Sequence, residues 1–261
     1  MKPQTVSISS AAAAPTNTLA IWSPRPAPLG ESKAPEWLAD QIVVYHLPVL
    51  AIVSQPVSAA ALEALDALIF TSYYAVREAL AQLPRQRLAS LQRIAIGKRT
   101  ESALRDAQLA PIMTAPPPHN SEALLASPAW QTLSCQRLGI VCGVGGRRLL
   151  QDELAKTRQH VRRIACYRRD KIHLLPEFMV KFVDDYSIGG IILSSNDVVD
   201  AVASQLNRAN LRQCFRLPAF ALSARIAAHA ETLGFEHLVI AERANQHFLY
   251  QRIINWWEVA L

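Results

Sequence analysis

The 261-residue sequence lacks any apolar run long enough to cross a bilayer, because a charge, a proline or a turn interrupts each hydrophobic segment within about a dozen residues. A membrane-spanning helix is therefore not expected, and neither is a membrane partner. The first 17 residues are rich in Ser, Ala, Thr and Pro and lack the continuous apolar core of a secretory signal, so residues 1–18 are expected to form a disordered tail. Cysteine is scarce and badly spaced for a metal: Cys135, Cys142, Cys166 and Cys214 make no CxxC pair and have no histidine nearby. They read as free thiols in a reducing cytoplasm. The seven histidines show neither metal spacing nor a partnered Ser or Cys pattern, and no residue pattern calls for a metal. Neither GxGxxG nor GxxxxGK[ST] occurs, which weakens any nucleotide reading.

Charged residues make up only 18% of the chain and hydrophobic residues 51%, a balance that excludes a disordered or fibrous protein. The charge is nevertheless one-sided. Lys and Arg number 27 against 21 Asp and Glu, a net +6 with a pI near 9.4, which favours a polyanionic partner. The basic residues are scattered, apart from short pairs such as Arg162-Arg163 and Arg168-Arg169, and no groove-binding or single-strand-binding motif appears. A carboxylate-rich small molecule fits this better than nucleic acid.

The length suits two cores. From Leu19 to Trp22 a short strand is expected, broken at Ser23-Pro24-Arg25-Pro26, where two prolines hold Arg25 out at the strand end. A helix near Glu36–Gln41, a strand Ile42–Tyr45 and an extended connector His46–Ile52 follow. Regular α/β alternation begins at Ser58: a helix over 58–66, strand 67–70, helix 73–82, strand 93–96 and helix 99–107. Pro111–Ser121 reads as a loop, and Asn120 or Ser121 caps the helix after it. Strand 138–142 enters Gly143-Val144-Gly145-Gly146-Arg147 and a helix over 147–156, and strand 161–167 ends in Tyr167-Arg168-Arg169. A second set follows: helix 176–185, strand 188–193, helix 198–206, strand 218–222, helix 225–233, strand 237–240 and a terminal helix over 245–257. Apolar strands alternating with helices mean parallel sheets covered on both faces.

Within this pattern, Leu68-Ile69-Phe70-Thr71-Ser72 runs an apolar strand into two hydroxyls and then a helix, and Ile191-Ile192-Leu193-Ser194-Ser195 does the same. The small residue and helix that follow the next strand also recur, as Gly97-Lys98-Arg99-Thr100 and Ser223-Ala224-Arg225-Ile226. Two related domains explain the repeat economically. Paired hydroxyls at a strand end are often helix caps and nothing more. Their recurrence argues for more, because ligands of doubly wound sheets gather outside the carboxyl ends of the strands, where helix N–H groups and hydroxyls suit an anion. The Gly143–Arg147 turn reads either as a tight strand-to-helix turn or as a backbone cradle for an anion, with Arg147 adding charge. Tyr167 reads either as a core-edge residue or as a proton donor whose pKa Arg168 and Arg169 would lower.

Taken in order, the chain resembles the uroporphyrinogen-III synthase family. The residues carrying the likeness are Arg25-Pro26, Pro48, Phe70-Thr71-Ser72 with Ala75-Val76, Gly97 with Thr100, Asn120-Ser121-Glu122 with Leu124-Leu125, Gly143 with Gly146-Arg147, Tyr167 with Arg169, Ser194-Ser195, and the helix region Ser223–Gly234. The resemblance implies an α/β fold of two flavodoxin-like domains with parallel sheets, joined by a two-stranded connector and enclosing a substrate cleft. One domain would combine residues 19–49 with 170–261, and the other would be 50–169. It implies a monomer that cyclises hydroxymethylbilane with inversion of the last pyrrole ring and loss of water, without cofactor. Carried over, Tyr167 would assist departure of the hydroxyl. Arg25, Thr71, Ser72, Thr100, Ser121, Gly143, Arg147, Ser194, Ser195 and Ser223 would hold substrate carboxylates. Cys142 stands where the family usually has arginine, and Ile226 where it usually has threonine. These departures keep open a non-catalytic tetrapyrrole- or anion-binding relative of the same fold.

Overall fold

The computed structural model describes residues 18–26, 41–158, 160–243 and 245–260. The expected tail (residues 1–17) and the body of the helix expected near residue 36 lie outside them. In chain order the strands are β1 (Leu19–Ser23), β2 (Ile42–His46), β3 (Leu50–Ser54), β4 (Ala67–Phe70), β5 (Gln92–Ala95), β6 (Ile112–Thr114), β7 (Arg137–Gly143), β8 (His160–Lys171), β9 (Gly190–Leu193), β10 (Pro218–Ala221) and β11 (His237–Ile240). The helices are α1 (Tyr73–Gln82), α2 (Arg85–Ser90), α3 (Lys98–Asp106), α4 (Ser121–Ala126), α5 (Pro128–Gln131), α6 (Leu149–Ala155), α7 (Pro176–Asp185), α8 (Asn196–Arg208), α9 (Ala224–Thr232) and α10 (Gln246–Ala260). Among the described residues no helix is long and apolar enough to cross a membrane.

The chain forms two compact units, one of the described residues up to Ala51 with those from Asp170 onward, the other of Ile52–Arg169. It passes from the first to the second within β3 and returns within β8. These two strands are neighbours, and the Gln55 N–H to Cys166 carbonyl and Ile172 N–H to Val49 carbonyl bonds run their partners in opposite directions, as an antiparallel pair requires.

In the discontinuous unit five parallel strands lie in the order β11-β10-β9-β1-β2. Side chains alternate across a strand, so Ala20 and Trp22 face one way and Leu19 and Ile21 the other. The first pair joins a core with Met179 and Phe182 of α7 and with residues of α8 and α9. The second packs with Leu249, Tyr250 and Ile253 of α10. Trp22 anchors the first core: its indole meets Phe182 edge-on at 5.8 Å and donates to the Leu47 carbonyl at 2.8 Å.

In the inserted unit five parallel strands, β6-β5-β4-β7-β8, carry β3 on the outer edge of β8. Ala67 and Ile69 of β4 pack on Leu124, Trp130, Leu150 and Leu154 from α4, α5 and α6. Read across, the two sheets correspond strand for strand: β9 matches β4, β10 matches β5, β11 matches β6, and β1-β2 match β7-β8. The pair that opens the chain in one unit therefore closes it in the other. The sequence repeat covered only the first two of these matches.

Two expected elements differ. Residues 58–66 form only a 3₁₀ turn, Ala59–Leu62, because Ala64 takes a left-handed φ of 55° and swings the chain toward β4. Leu62 and Leu65 are thereby both buried, and Asp66 accepts from the Gln136 and Arg137 N–H groups. The expected loop Pro111–Ser121 contains strand β6, which three residues suffice to make because it pairs only with β5 at the sheet edge.

Candidate functional site

In a doubly wound sheet the ligand crevice opens where the connections leave in opposite directions. In the inserted unit that point lies between β4, which leads to β5 on one side, and β7, which leads to β8 on the other. The residues directly after it are Thr71 and Ser72 on one strand and Gly143 on its neighbour. The Thr71 backbone N–H and hydroxyl both donate to the Val141 carbonyl of β7, each at 3.1 Å, which locks the two strand ends together. Ser72 caps α1, accepting from the Ala75 N–H at 3.1 Å, and is half-buried.

Tyr167 comes to the same point through an irregularity in β8. Cys142 pairs with Ala165 and Gly143 with Tyr167, so Cys166 is an extra residue that re-aims the tyrosine. Its ring then passes so close to Gly143 that a Cβ there would lie 2.8 Å from the ring carbon that carries the hydroxyl. Glycine at 143 is a requirement of this approach. The phenol oxygen lies 3.0 Å from Ser72 Oγ and accepts from an Arg169 guanidinium nitrogen at 2.9 Å, while that guanidinium sits 5.2 Å from the ring centroid. Tyr167 is only 1% exposed. Its pKa is raised, not lowered as the neighbouring arginines led one to expect. Burial is the largest influence, and it outweighs the opposing Arg169 charge and Ser72 hydrogen bond. Arg168, by contrast, is exposed.

A second tyrosine, Tyr74, meets the Tyr167 ring at 6.0 Å and feels the charges of Arg77, Arg99 and Arg169, yet burial still holds its pKa up at about 12. Positive charge thus collects at the carboxyl edge of this sheet. Of the candidate ligands after β7, Gly145 and Gly146 take φ of 73° and 75°, a left-handed pair suited to glycine. Arg163 donates to the Gly145 carbonyl at 2.6 Å, and the Val144 N–H is taken by the Tyr167 carbonyl at 2.7 Å. Arg147 is exposed and pairs with Glu122 at 2.5 Å, beside Ser121 at the start of α4. Asn120, not Ser121, caps that helix, accepting from the Ala123 N–H at 2.8 Å. Thr100, in the first turn of α3, is 4% exposed.

In the discontinuous unit the crevice point lies between β9 and β1. Ser194 and Ser195 follow β9, and Ser195 caps α8 by accepting from the Val198 N–H at 3.3 Å. Ser223 opens α9 without a side-chain cap bond. Ile226, at the position matching Thr100, is likewise 4% exposed and belongs to the core, so the missing threonine is replaced by packing. Arg25 is not held out at the strand end. It is 7% exposed, because the chain folds back over it through the Leu47 N–H to Ser23 and Val49 N–H to Pro24 carbonyl bonds; burial first and the Arg25 charge second depress the pKa of His46.

The pattern missed by sequence reading is the wiring of Tyr167 to both Ser72 and Arg169. The Tyr-x-Arg spacing was visible, since residues two apart on a strand share a face. Contact with Ser72, 95 positions earlier, was not. No group of His, Cys, Asp or Glu able to hold a metal occurs among the described residues. All four cysteines are free, and burial raises the pKa of Cys166 to about 12 and of Cys214 to about 11.

Each unit is a parallel α/β sheet whose strand ends carry hydroxyls and helix N-termini, joined in the inserted unit by guanidinium groups, and such groups suit an anion. Residues 36–251 match the family model for uroporphyrinogen-III synthase HemD, and the chain belongs to that family. It is 27% identical over 249 residues to the uroporphyrinogen-III synthase of Escherichia coli strain K12, covering 90% of this chain and all of that one. In fold it is similar to the uroporphyrinogen-III synthetase of Helicobacter pylori, with a TM-score of 0.65 at 13% identity over 92% of this chain and 99% of the other. A mutant uroporphyrinogen III synthase from Thermus thermophilus gives a TM-score of 0.53 at 17% identity, covering 93% and 99%.

Proposed function

We propose that this protein is a uroporphyrinogen-III synthase, closing hydroxymethylbilane into a ring with inversion of its last pyrrole and release of water. The observation that carries this reading is the family match over residues 36–251, which spans both units and both hydroxyl-capped strand ends. The geometry is consistent with it. A substrate with several carboxylates needs many donors, and Thr71, Ser72, Thr100, Ser121, Gly143, Arg147, Ser194, Ser195, Ser223 and Arg25 supply the candidates. Loss of the substrate hydroxyl leaves an azafulvene cation, which closes at the substituted carbon of the last ring to a spiro intermediate, then fragments and recloses. Most of the acceleration comes from holding one flexible chain with its ends together. Tyr167 is the proposed group behind departure of the hydroxyl. The two compact units are taken as the domains, 19–49 with 170–261 and 50–169, in a cytoplasmic monomer.

The test is product analysis with freshly prepared hydroxymethylbilane. The type III isomer is expected in excess of the spontaneous type I isomer, and type I alone would overturn the assignment. The absence of a hydroxyl at Ile226, where the matching position of the other unit has Thr100, favours one other reading, a tetrapyrrole-binding relative without catalysis. Tight binding of the linear substrate with type I product alone would select it.

A further inference from the structure

We propose that Ser72, not Tyr167, is the hydroxyl that meets the departing group, and that Tyr167 is a positioning residue that supplies the proton from behind. The inference rests on the cyclisation reading above and deepens it.

Donors and acceptors along Arg169, Tyr167 and Ser72 fix the direction of the chain. Arg169 has no acceptor, so its 2.9 Å contact leaves the phenol oxygen of Tyr167 accepting. The phenol's own proton must go elsewhere, and Ser72 Oγ at 3.0 Å is its one other hydrogen-bond partner among the described residues. Ser72 Oγ also accepts from the Ala75 N–H at 3.1 Å. Two donated bonds fill the lone pairs of a serine oxygen, so the proton of Ser72 is left as the outgoing donor of the chain Arg169–Tyr167–Ser72. The opposite orientation, Ser72 donating to Tyr167, would leave the buried phenol proton without a partner, which buried hydroxyls avoid. Exposure points the same way. Tyr167 is 1% exposed, and a Cβ at Gly143 would already strike its ring. Ser72 is half-buried and stands at the crevice point between β4 and β7.

The step balances. The carbon–oxygen bond of the substrate's hydroxymethyl group breaks, and its electron pair leaves on oxygen. Ser72 gives its proton to that oxygen, making water, and takes the proton of Tyr167. The phenolate is held by the Arg169 cation until the proton released as the new ring closes returns along the same two hydroxyls. No proton is gained or lost overall.

The experiment measures kcat and KM for type III formation in Ser72→Ala, Ser72→Gly, Ser72→Thr, Tyr167→Phe and the Ser72→Ala/Tyr167→Phe pair, with thermal melts of each. Ser72→Gly is included because glycine is tolerated at a helix N-cap, so the fold is kept even if alanine weakens it. The expected result is a fall in kcat of about a hundredfold in Ser72→Ala, Ser72→Gly and Tyr167→Phe alike, the range of a lost acid catalyst, with KM nearly unchanged. The pair should be no slower than either single variant, and Ser72→Thr should recover most of the rate. Raised KM with intact kcat in Ser72→Gly would make Ser72 a carboxylate grip and overturn the relay, as would single losses that multiply in the pair. A wild-type protein that makes no type III isomer would instead remove the cyclisation reading itself.

Discussion

The two crevice points are built alike and wired differently. In each unit a strand at the middle of five parallel strands ends in a hydroxyl pair whose second member caps the next helix, Ser72 at 3.1 Å and Ser195 at 3.3 Å. In the inserted unit the cap also bonds a buried tyrosine and, through it, an arginine. In the discontinuous unit Ser195 has the helix N–H alone among the described residues. The shared part is what any strand-to-helix turn needs, and the unshared part is what the proposed proton relay uses. On the relay proposed above, Ser195 would serve as a grip and Ser72 would handle the proton.

The difference between the units is tested most severely by Tyr167→Phe, which removes one oxygen. A fall of about a hundredfold in kcat is expected, with a melting temperature close to wild type; an unchanged rate in steady-state kinetics would erase the difference between the units. Next in size, Gly143→Ala places a methyl group 2.8 Å from the Tyr167 ring and forces it aside. Overpacking of this kind costs about 1–3 kcal/mol, so denaturant melts should show that loss together with reduced turnover. Ser195→Ala should cost about 1 kcal/mol of stability through the lost cap and raise KM while leaving kcat in place. A kcat loss as large as that of Tyr167→Phe would mean both units do chemistry.

The smallest effect separates the units by acid sensitivity. His46 of the discontinuous unit has its pKa lowered from 6.5 to about 4, by burial first and by the Arg25 charge second. Its folded form resists protonation, so stability is full above 6.5 and declines as pH falls toward about 4. Asp66 of the inserted unit is lowered from 3.8 to about 2, chiefly by the Arg137 side-chain hydrogen bond, so its contribution persists above 3.8 and fades as pH falls toward about 2. Thermal melts across pH should lose the upper slope in His46→Asn and the lower slope in Asp66→Asn. An upper slope that survives in His46→Asn would place the sensitive group elsewhere.

Much of this architecture was legible in local pattern. Helices Tyr73–Gln82 and Pro176–Asp185 were read at their observed ends, because a hydroxyl cap or a first-turn proline and a clear apolar stripe mark them. The failures are also physical. Residues 58–66 have helix-forming composition, but burial of Leu62 and Leu65 and the Asp66–Arg137 pair demand a turn. Strand β6 is too short to have a pattern. Arg25 reads as displayed between two prolines, since nothing local reveals that β2 and the segment after it return to cover it.

Residue order alone carried the alternation of strand and helix, the repeat of the hydroxyl turns and the family likeness, because each is a pattern along the chain that needs no packing partner to be seen. Only the tertiary structure decided that the opening strands of one unit take the places of the closing strands of the other, because pairing depends on partners far apart in sequence. It alone placed Tyr167 on Ser72 and set the phenol's pKa upward, since burial is a property of everything packed around a group. Phe70-Thr71-Ser72 was readable as a place for an anion. That its last hydroxyl faces a buried phenol held by Arg169 was decided by an extra residue in β8 and a missing side chain at Gly143.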